Sequence, residues 1–371
     1  MSDYESALRQ EERALSRLRA LYRRYGYSQF KMSKFEEYDL YVRNKSFLLS
    51  DHVITFTDTD GKLMALKPDV TLSIVKNSKD KPDGLSKVYY NENVYRVPKG
   101  EKSFREIMQT GLECIGNIDT YCIAEVLILA AKSLAVLSSD YVLDISHLGA
   151  VSKLIDRLCV SDTARQQIMQ CIGEKNPHGI DSICLGEGID LGKTASLKKL
   201  MTADGDCDGM LALLNEADCK EEAKALGCIL SAVRLVLGDA HIRLDLSVVN
   251  DMNYYNGIAF SGFIDGIPTS ILSGGQYDTL MRKMGKQSGA IGFAVYLDLI
   301  DRLYDGSEDY DADVVIVYEG QTDAAIICNQ VDGLTAEGDR VIVRRTVPTG
   351  MRYKKLIKIV DGEVKVIEDY A

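Results

Sequence analysis

The sequence predicts a mixed α/β (α+β) fold in which an antiparallel sheet core carries a helical insertion and is followed by a small C-terminal α/β domain. Three observations predict it. A long antiparallel hairpin pattern runs from Lys87 to Arg96, turns through a polar loop, and returns over Phe104 to Ile115. From Leu148 to about Gly238 the pattern turns helical and polar, and strand patterns resume after it. A composition break at Tyr304, Asp305, Gly306, Ser307, Glu308 and Asp309 then precedes strand, helix, strand and hairpin patterns within about 60 residues, near the lower size for a self-stable domain. The expected domains are residues 1–305, with the insertion at about 148–238, and residues 311–371.

Residues 2–25 read as an amphipathic helix with Leu8, Leu15, Leu18, Leu21, Tyr22 and Tyr25 on one side and Gly26 as its stop, a packing helix. Strand patterns at 53–58 and 62–66 flank Asp60-Gly61, a hairpin signal. The second ends in Lys67-Pro68-Asp69-Val70-Thr71. Pro68 blocks the ladder and a helix begins near Thr71, so Asp69 falls at a strand-to-helix corner, where ligands are often held. On the hairpin's return strand a period of two places Arg105, Ile107, Gln109, Gly111 and Glu113 on one face. Gln109 and Glu113 then look the same way beside the gap left by Gly111. Either a bound polar molecule or an internal network must satisfy them. Residues 119–138 form a long apolar helix and 141–145 a strand. The aspartates of Asp204-Gly205-Asp206-Cys207-Asp208-Gly209 lack the glutamate of a calcium loop and read as a solvated turn.

The chain is organised around residues 250–299. Two tyrosines, Tyr254 and Tyr255, precede Gly257; a hairpin turns at Asp265-Gly266; Gly274-Gly275-Gln276-Tyr277-Asp278 and Gly289-Ala290-Ile291-Gly292-Phe293-Ala294 follow. Glycines let backbone approach a small ligand, and tyrosines offer rings and hydroxyls to an amphipathic guest, although both also serve packing and turns.

A net charge of −11 without a dense basic run excludes a general nucleic-acid surface. Nine cysteines, an odd number with no Cys-x-x-Cys pair, imply neither a disulfide framework nor a zinc site and point to a reducing cytoplasm. The N-terminal residues lack a basic-then-apolar signal pattern, and the apolar run of 123–137 is broken by Glu125 and Lys132. His52, His147, His178 and His241 are isolated and read as structural or surface groups. Arg105 reads as a bridge to Glu92 or another carboxylate, or as a ligand group; Lys67, Lys99 and Lys102 read as solvated loop charges.

With these pieces placed, the chain resembles the catalytic core of histidyl-tRNA synthetase, a class II aminoacyl-tRNA synthetase fold, from the first helix to about Leu303. Leu66-Lys67-Pro68-Asp69-Val70-Thr71 resembles the family's Leu-Arg-Pro-Glu-x-Thr segment, whose acid holds the amino group of histidine. Tyr95-Arg96 and residues 104–113 are similar to the motif 2 hairpin. Met252-Asn253-Tyr254-Tyr255 resembles the Leu-Asp-Tyr-Tyr segment of the imidazole pocket, and residues 274–278 the Gly-Gly-Arg-Tyr-Asp box. The resemblance implies a histidine-binding set of Asp69, Thr71, Arg96, Gln109, Glu113, Tyr254 and Tyr255.

Departures from the family pattern bear on activity. The catalytic arginine position falls on Asn250 and the next glycine on Asp251; the motif 3 arginine falls on Leu299 and its second glycine on Tyr296; the motif 2 tip arginine falls on Ser103, and an acid is lost near Pro98. Losing three charge-assisted contacts to phosphate removes about 4 to 9 kcal/mol of differential binding. Adenylate formation is therefore expected to be negligible, with no catalytic residue, no metal and no cofactor. A silent core that keeps an amino-acid pocket resembles the synthetase paralogues that serve as regulatory subunits of ATP phosphoribosyltransferase. That resemblance implies a homodimer within a hetero-oligomer, a hetero-octamer in the family, with the short-form catalytic subunit as partner and histidine as effector. The alternatives are a divergent histidyl-tRNA synthetase and an amino-acid-binding class II-like protein of another complex.

Overall fold

The structure is a computed structural model that describes residues 8–48, 52–80, 84–97, 102–203, 205–238, 240–249, 254–302, 310–320, 322–360 and 362–370. It divides into two compact units, Gln10–Leu303 and a smaller one containing the segment from Tyr304 onward.

The larger unit is built on an eight-stranded sheet. Its strands are β1 (Ser28–Gln29), β5 (Leu85–Arg96), β6 (Arg105–Gly116), β7 (Tyr141–His147), β8 (Ile242–Leu244), β9 (Ile258–Ile264), β10 (Leu272–Gln276) and β11 (Gly289–Tyr296), in the order β1-β5-β6-β11-β10-β9-β7-β8. The six inner strands pair antiparallel and the two outer strands add on in parallel. The predicted hairpin is β5–β6, in unbroken register from Leu85 opposite Gly116 to Arg96 opposite Arg105. A separate three-stranded sheet holds β2 (Phe35–Glu37), β3 (Thr55–Thr57) and β4 (Leu63–Leu66); β3 and β4 form the predicted hairpin, with Gly61 at φ +78° in its turn.

One sheet face is covered by two helices. The first, α1 (Gln10–Arg24), buries Ala14, Leu18 and Tyr22 and stops where Gly26 takes φ +83°. Residues 2–7 of that predicted helix lie outside the described residues. The second, Thr120–Leu137, is apolar almost all round, as a helix buried on most sides must be. Its length and composition would let it cross a membrane, yet 72% of it is buried inside the unit, which makes it the core helix. Asp119 caps it by accepting from the Cys122 amide at 2.8 Å. Asp119→Ala is expected to cost about 1 kcal/mol of stability by losing that cap, seen as a lower denaturant midpoint at unchanged slope.

Residues 148–237 form the helical module, and its interruptions are caps. Asn176 accepts from Gly179 N and Asp206 from Gly209 N, while Asp208 pairs with Arg234. Of the isolated histidines, the His147 ring accepts from Ala150 N at the next helix start, and His241 stacks on Tyr141. Both are structural. One sequence expectation is corrected. Lys67 is fully buried and its ammonium donates to Glu92 and to the Ser33 carbonyl, because its own carbonyl accepts from Tyr95 N and so holds the lysine against β5. Glu92 accepts from Lys67, and Arg105 is exposed and lies opposite Arg96.

The smaller unit has a four-stranded sheet in the order β13-β12-β14-β15, from β12 (Ala312–Tyr318), β13 (Val341–Arg344), β14 (Tyr353–Val360) and β15 (Glu363–Asp369), with a helix at Ala324–Ala336. Its core is small: Val314, Ile316, Ile357 and Ile359.

Candidate functional site

The sheet face turned away from Thr120–Leu137 is hollowed by small residues. Strand register aligns Ser261, Ser273, Ala294, Gly111 and Tyr90 in one row, and Ala259, Gly275, Gly292, Glu113 and Val88 in the next. Residues two apart on a strand share a face, so these rows form one floor. The intervening positions, Leu112, Phe293 and Phe260, point the other way into the core. The missing side chains are replaced by particular groups from neighbouring segments. A Cβ at Gly111 would sit 2.5 Å from the Tyr90 hydroxyl, one at Gly275 would sit 2.8 Å from the Tyr255 ring, and one at Gly292 would fall on Glu113 Oε2.

Glu113 is the buried centre of the floor. Thr71 donates its hydroxyl to Oε1 at 2.8 Å and Tyr277 donates to Oε2 at 2.6 Å. Burial pushes its carboxyl up to about 8; the two hydroxyl donors pull against that shift and nearby Asp69 adds to it. Near neutral pH the site therefore favours the protonated acid. Asp69 stands where the sequence places it, between β4 and the helix Thr71–Asn77. Its Oδ1 accepts from the Leu72 amide at 2.8 Å, and so it ties down the first helical turn. Burial raises its carboxyl above the usual range, opposed by the Leu72 amide and then by Arg96.

Aromatic walls enclose the acid. Tyr254 packs on Tyr255, Tyr277 and Phe47 with centroids 4.8, 5.8 and 6.0 Å away. Burial holds the Tyr90, Tyr254 and Tyr277 hydroxyls well above their ordinary range, so they stay protonated donors. At the far end Arg96, 9% exposed, lies over the Tyr296 ring at 5.6 Å, beside buried Gln109. Gln109 and Glu113 are four residues apart on β6, about 13 Å along an extended strand. The cavity thus has an acid end and a guanidinium–amide end. Counting its mouth, it encloses about 510 Å³.

All seven sequence-predicted residues, Asp69, Thr71, Arg96, Gln109, Glu113, Tyr254 and Tyr255, line this cavity. Arg105 does not. Sequence reasoning missed Tyr90, whose signal was its position opposite Gly111 in the hairpin, and it saw Tyr277 without its role as donor to Glu113. Gln276, standing where the family box has arginine, accepts from Ile258 N at 2.8 Å and braces β9 against β10. Of the positions that bear on phosphate binding, Leu299 packs against the main core and Ser103 is exposed. Asn250, Asp251, Met252, Asn253 and Pro98 lie outside the described residues.

Comparisons with known proteins follow the same lines. A protein from Oceanobacillus iheyensis named ATP phosphoribosyltransferase regulatory subunit is 26% identical over 350 residues, covering 91% of this chain and 85% of that one. The structure of an ATP phosphoribosyltransferase regulatory subunit/histidyl-tRNA synthetase from Bacillus halodurans C superimposes with a TM-score of 0.73 at 20% identity, covering 94% of each chain. A chain of the ATP phosphoribosyl transferase (HisG:HisZ) complex from Thermotoga maritima does so with a TM-score of 0.63 at 18% identity, covering 78% of this chain and 98% of that one. The family model of histidyl-tRNA synthetase matches residues 4–300, through both the hollowed sheet and the helical module, and the chain belongs to that family.

Proposed function

We propose that this chain is the regulatory, non-catalytic subunit of a short-form ATP phosphoribosyltransferase, required for the activity of the catalytic subunit and for histidine feedback in the first step of histidine biosynthesis. One observation carries the reading. The seven candidate residues line one cavity, an acid at one end and Arg96 with Gln109 at the other, with Asp69 in place of the family's longer Glu, while the family's phosphate-binding positions hold Leu299 and Ser103. Activating an amino acid on ATP requires stabilising charge at the α-phosphate, and neither side chain supplies a cation. Holding the amino acid requires none of that. The relatives' names agree with a regulatory role.

In this reading the chain acts in the cytoplasm as a dimer within a hetero-oligomer. Histidine inhibits by binding one arrangement of the complex more tightly than another, since a ligand shifts an equilibrium only by its differential affinity. Mixing the purified chain with the short-form catalytic subunit of the same organism is expected to give phosphoribosyl-ATP formation that neither protein shows alone and that histidine suppresses. An unstimulated catalytic subunit, with both proteins folded and associated, overturns the reading. So does histidine-dependent pyrophosphate exchange by the chain alone, which would return it to the synthetases.

A further inference from the structure

A second cavity lies beside the first on the same sheet face. It encloses about 520 Å³ with its mouth, and its lining includes Ser261 of β9, Ser270 just before β10 and Val248 from the segment after β8. The two cavities share Tyr255, Ser273 and Tyr296 in their linings. Tyr255 and Tyr296 are the two rings among them, and Tyr296 is the one placed at the guanidinium end: it pairs with Gln109 in strand register, and Arg96 lies over its ring. Ser273 and Ala294, next to it on the floor, are too small to divide the space.

We propose that Tyr296 is the specificity-determining partition of the pocket, admitting a free amino acid and excluding the same amino acid extended at its carboxyl group. The inference rests on the amino-acid reading of the site and adds to it. A zwitterion with a basic ring places the ring towards Glu113 and its carboxylate towards Arg96, the cation at the opposite end. Growth from that carboxylate then runs into the Tyr296 ring. Without the ring, the extension would pass over Ser273 into the second cavity, whose serine hydroxyls can bond a peptide group. Discrimination by an obstacle in the path of the larger ligand needs no added contact to the smaller one. The stacked guanidinium also keeps the ring in place, so partition and carboxylate recognition are one assembly.

The test compares L-histidine with the dipeptide L-histidyl-glycine by calorimetry on the full chain. The dipeptide keeps both the ring and a carboxylate but is one residue longer. For the native protein, histidine is expected to bind at least about 100-fold more tightly, a clash-scale preference. In Tyr296→Ala the preference should shrink to under about tenfold, chiefly because the dipeptide gains. Tyr296→Phe, which keeps the ring, should retain it. A native protein that binds both ligands alike overturns the partition and leaves the amino-acid pocket standing. An unchanged preference in Tyr296→Ala, with histidine still bound, also overturns it. A native chain that binds neither ligand removes the amino-acid reading itself, and the partition with it. Loss of all binding in Tyr296→Ala, with preference intact in Tyr296→Phe, assigns the ring to holding Arg96 and overturns the partition.

Discussion

Gly292→Ala is expected to destabilise the protein by about 3 kcal/mol or more and to abolish histidine binding, the largest effect of any single methyl group in the pocket. The added Cβ would fall on Glu113 Oε2 and crowd the Leu112 carbonyl oxygen. Neither can retreat cheaply. Leu112 is backbone in β6, paired residue for residue with β11 from Gly116 to Gln109. Glu113 is held from one side by Thr71 and from the other by Tyr277, so displacing it breaks two buried hydrogen bonds at once. Each buried polar group left unpaired costs about 1 to 3 kcal/mol beyond the overpacking itself. Thermal unfolding with and without histidine checks this. A variant as stable as the native protein that still gains stability from histidine would mean the floor yields, and that Glu113 is not fixed as described. Gly61→Ala makes a useful contrast: nothing lies within 4 Å of its Cβ, so its cost is backbone strain alone at φ +78°.

Much of this architecture was legible in the residues, for definite reasons. The β5–β6 hairpin could be read because its alternation is long and its partner positions are local. The face carrying Gln109, Gly111 and Glu113 followed from the period of two alone. Asp69 was placed by Pro68, which ends one element and so locates the start of the next. The residues that could not be read are those whose partners come from far along the chain. Nothing near Lys67 in sequence says that it will be buried against Glu92, and nothing near Tyr277 says that its hydroxyl will reach Glu113, 164 residues away. The floor rows are the clearest case. In sequence Gly275 and Gly292 read either as a close approach to a ligand or as packing and turns, and only the lateral register of the strands joins them with Ala259 into one surface. Likewise Leu299 could be recognised as a lost arginine by resemblance, but its packing into the main core is a tertiary fact.

Glu113→Gln is expected to weaken histidine binding roughly tenfold to a hundredfold at neutral pH and to change how affinity depends on pH. The pocket holds Glu113 as the neutral acid up to a pKa of about 8, while a free imidazole titrates at about 6.5. Between these values an incoming neutral ring and a protonated Glu113 contain one proton between them, and so does the bound pair of imidazolium and carboxylate. Binding then moves that proton from acid to ring with none exchanged with solvent, and affinity is flat. Below about 6.5 both partners start protonated and a proton must be released, so affinity falls with acid. Above about 8 both start deprotonated and a proton must be taken up, so affinity falls with base. Glutamine removes the alkaline fall that belongs to the carboxylate. Folding stability gives an independent sign. The folded pKa lies above the unfolded value of 4.5. The native protein therefore loses up to about 1.4 kcal/mol per pH unit from this group as pH rises from about 4.5 to 8, and the glutamine variant lacks that slope. Calorimetry in buffers of differing ionisation enthalpy counts the protons, and denaturant unfolding across the same range gives the slope. Identical proton counts and identical slopes in the two proteins would place the ring of histidine somewhere other than against Glu113.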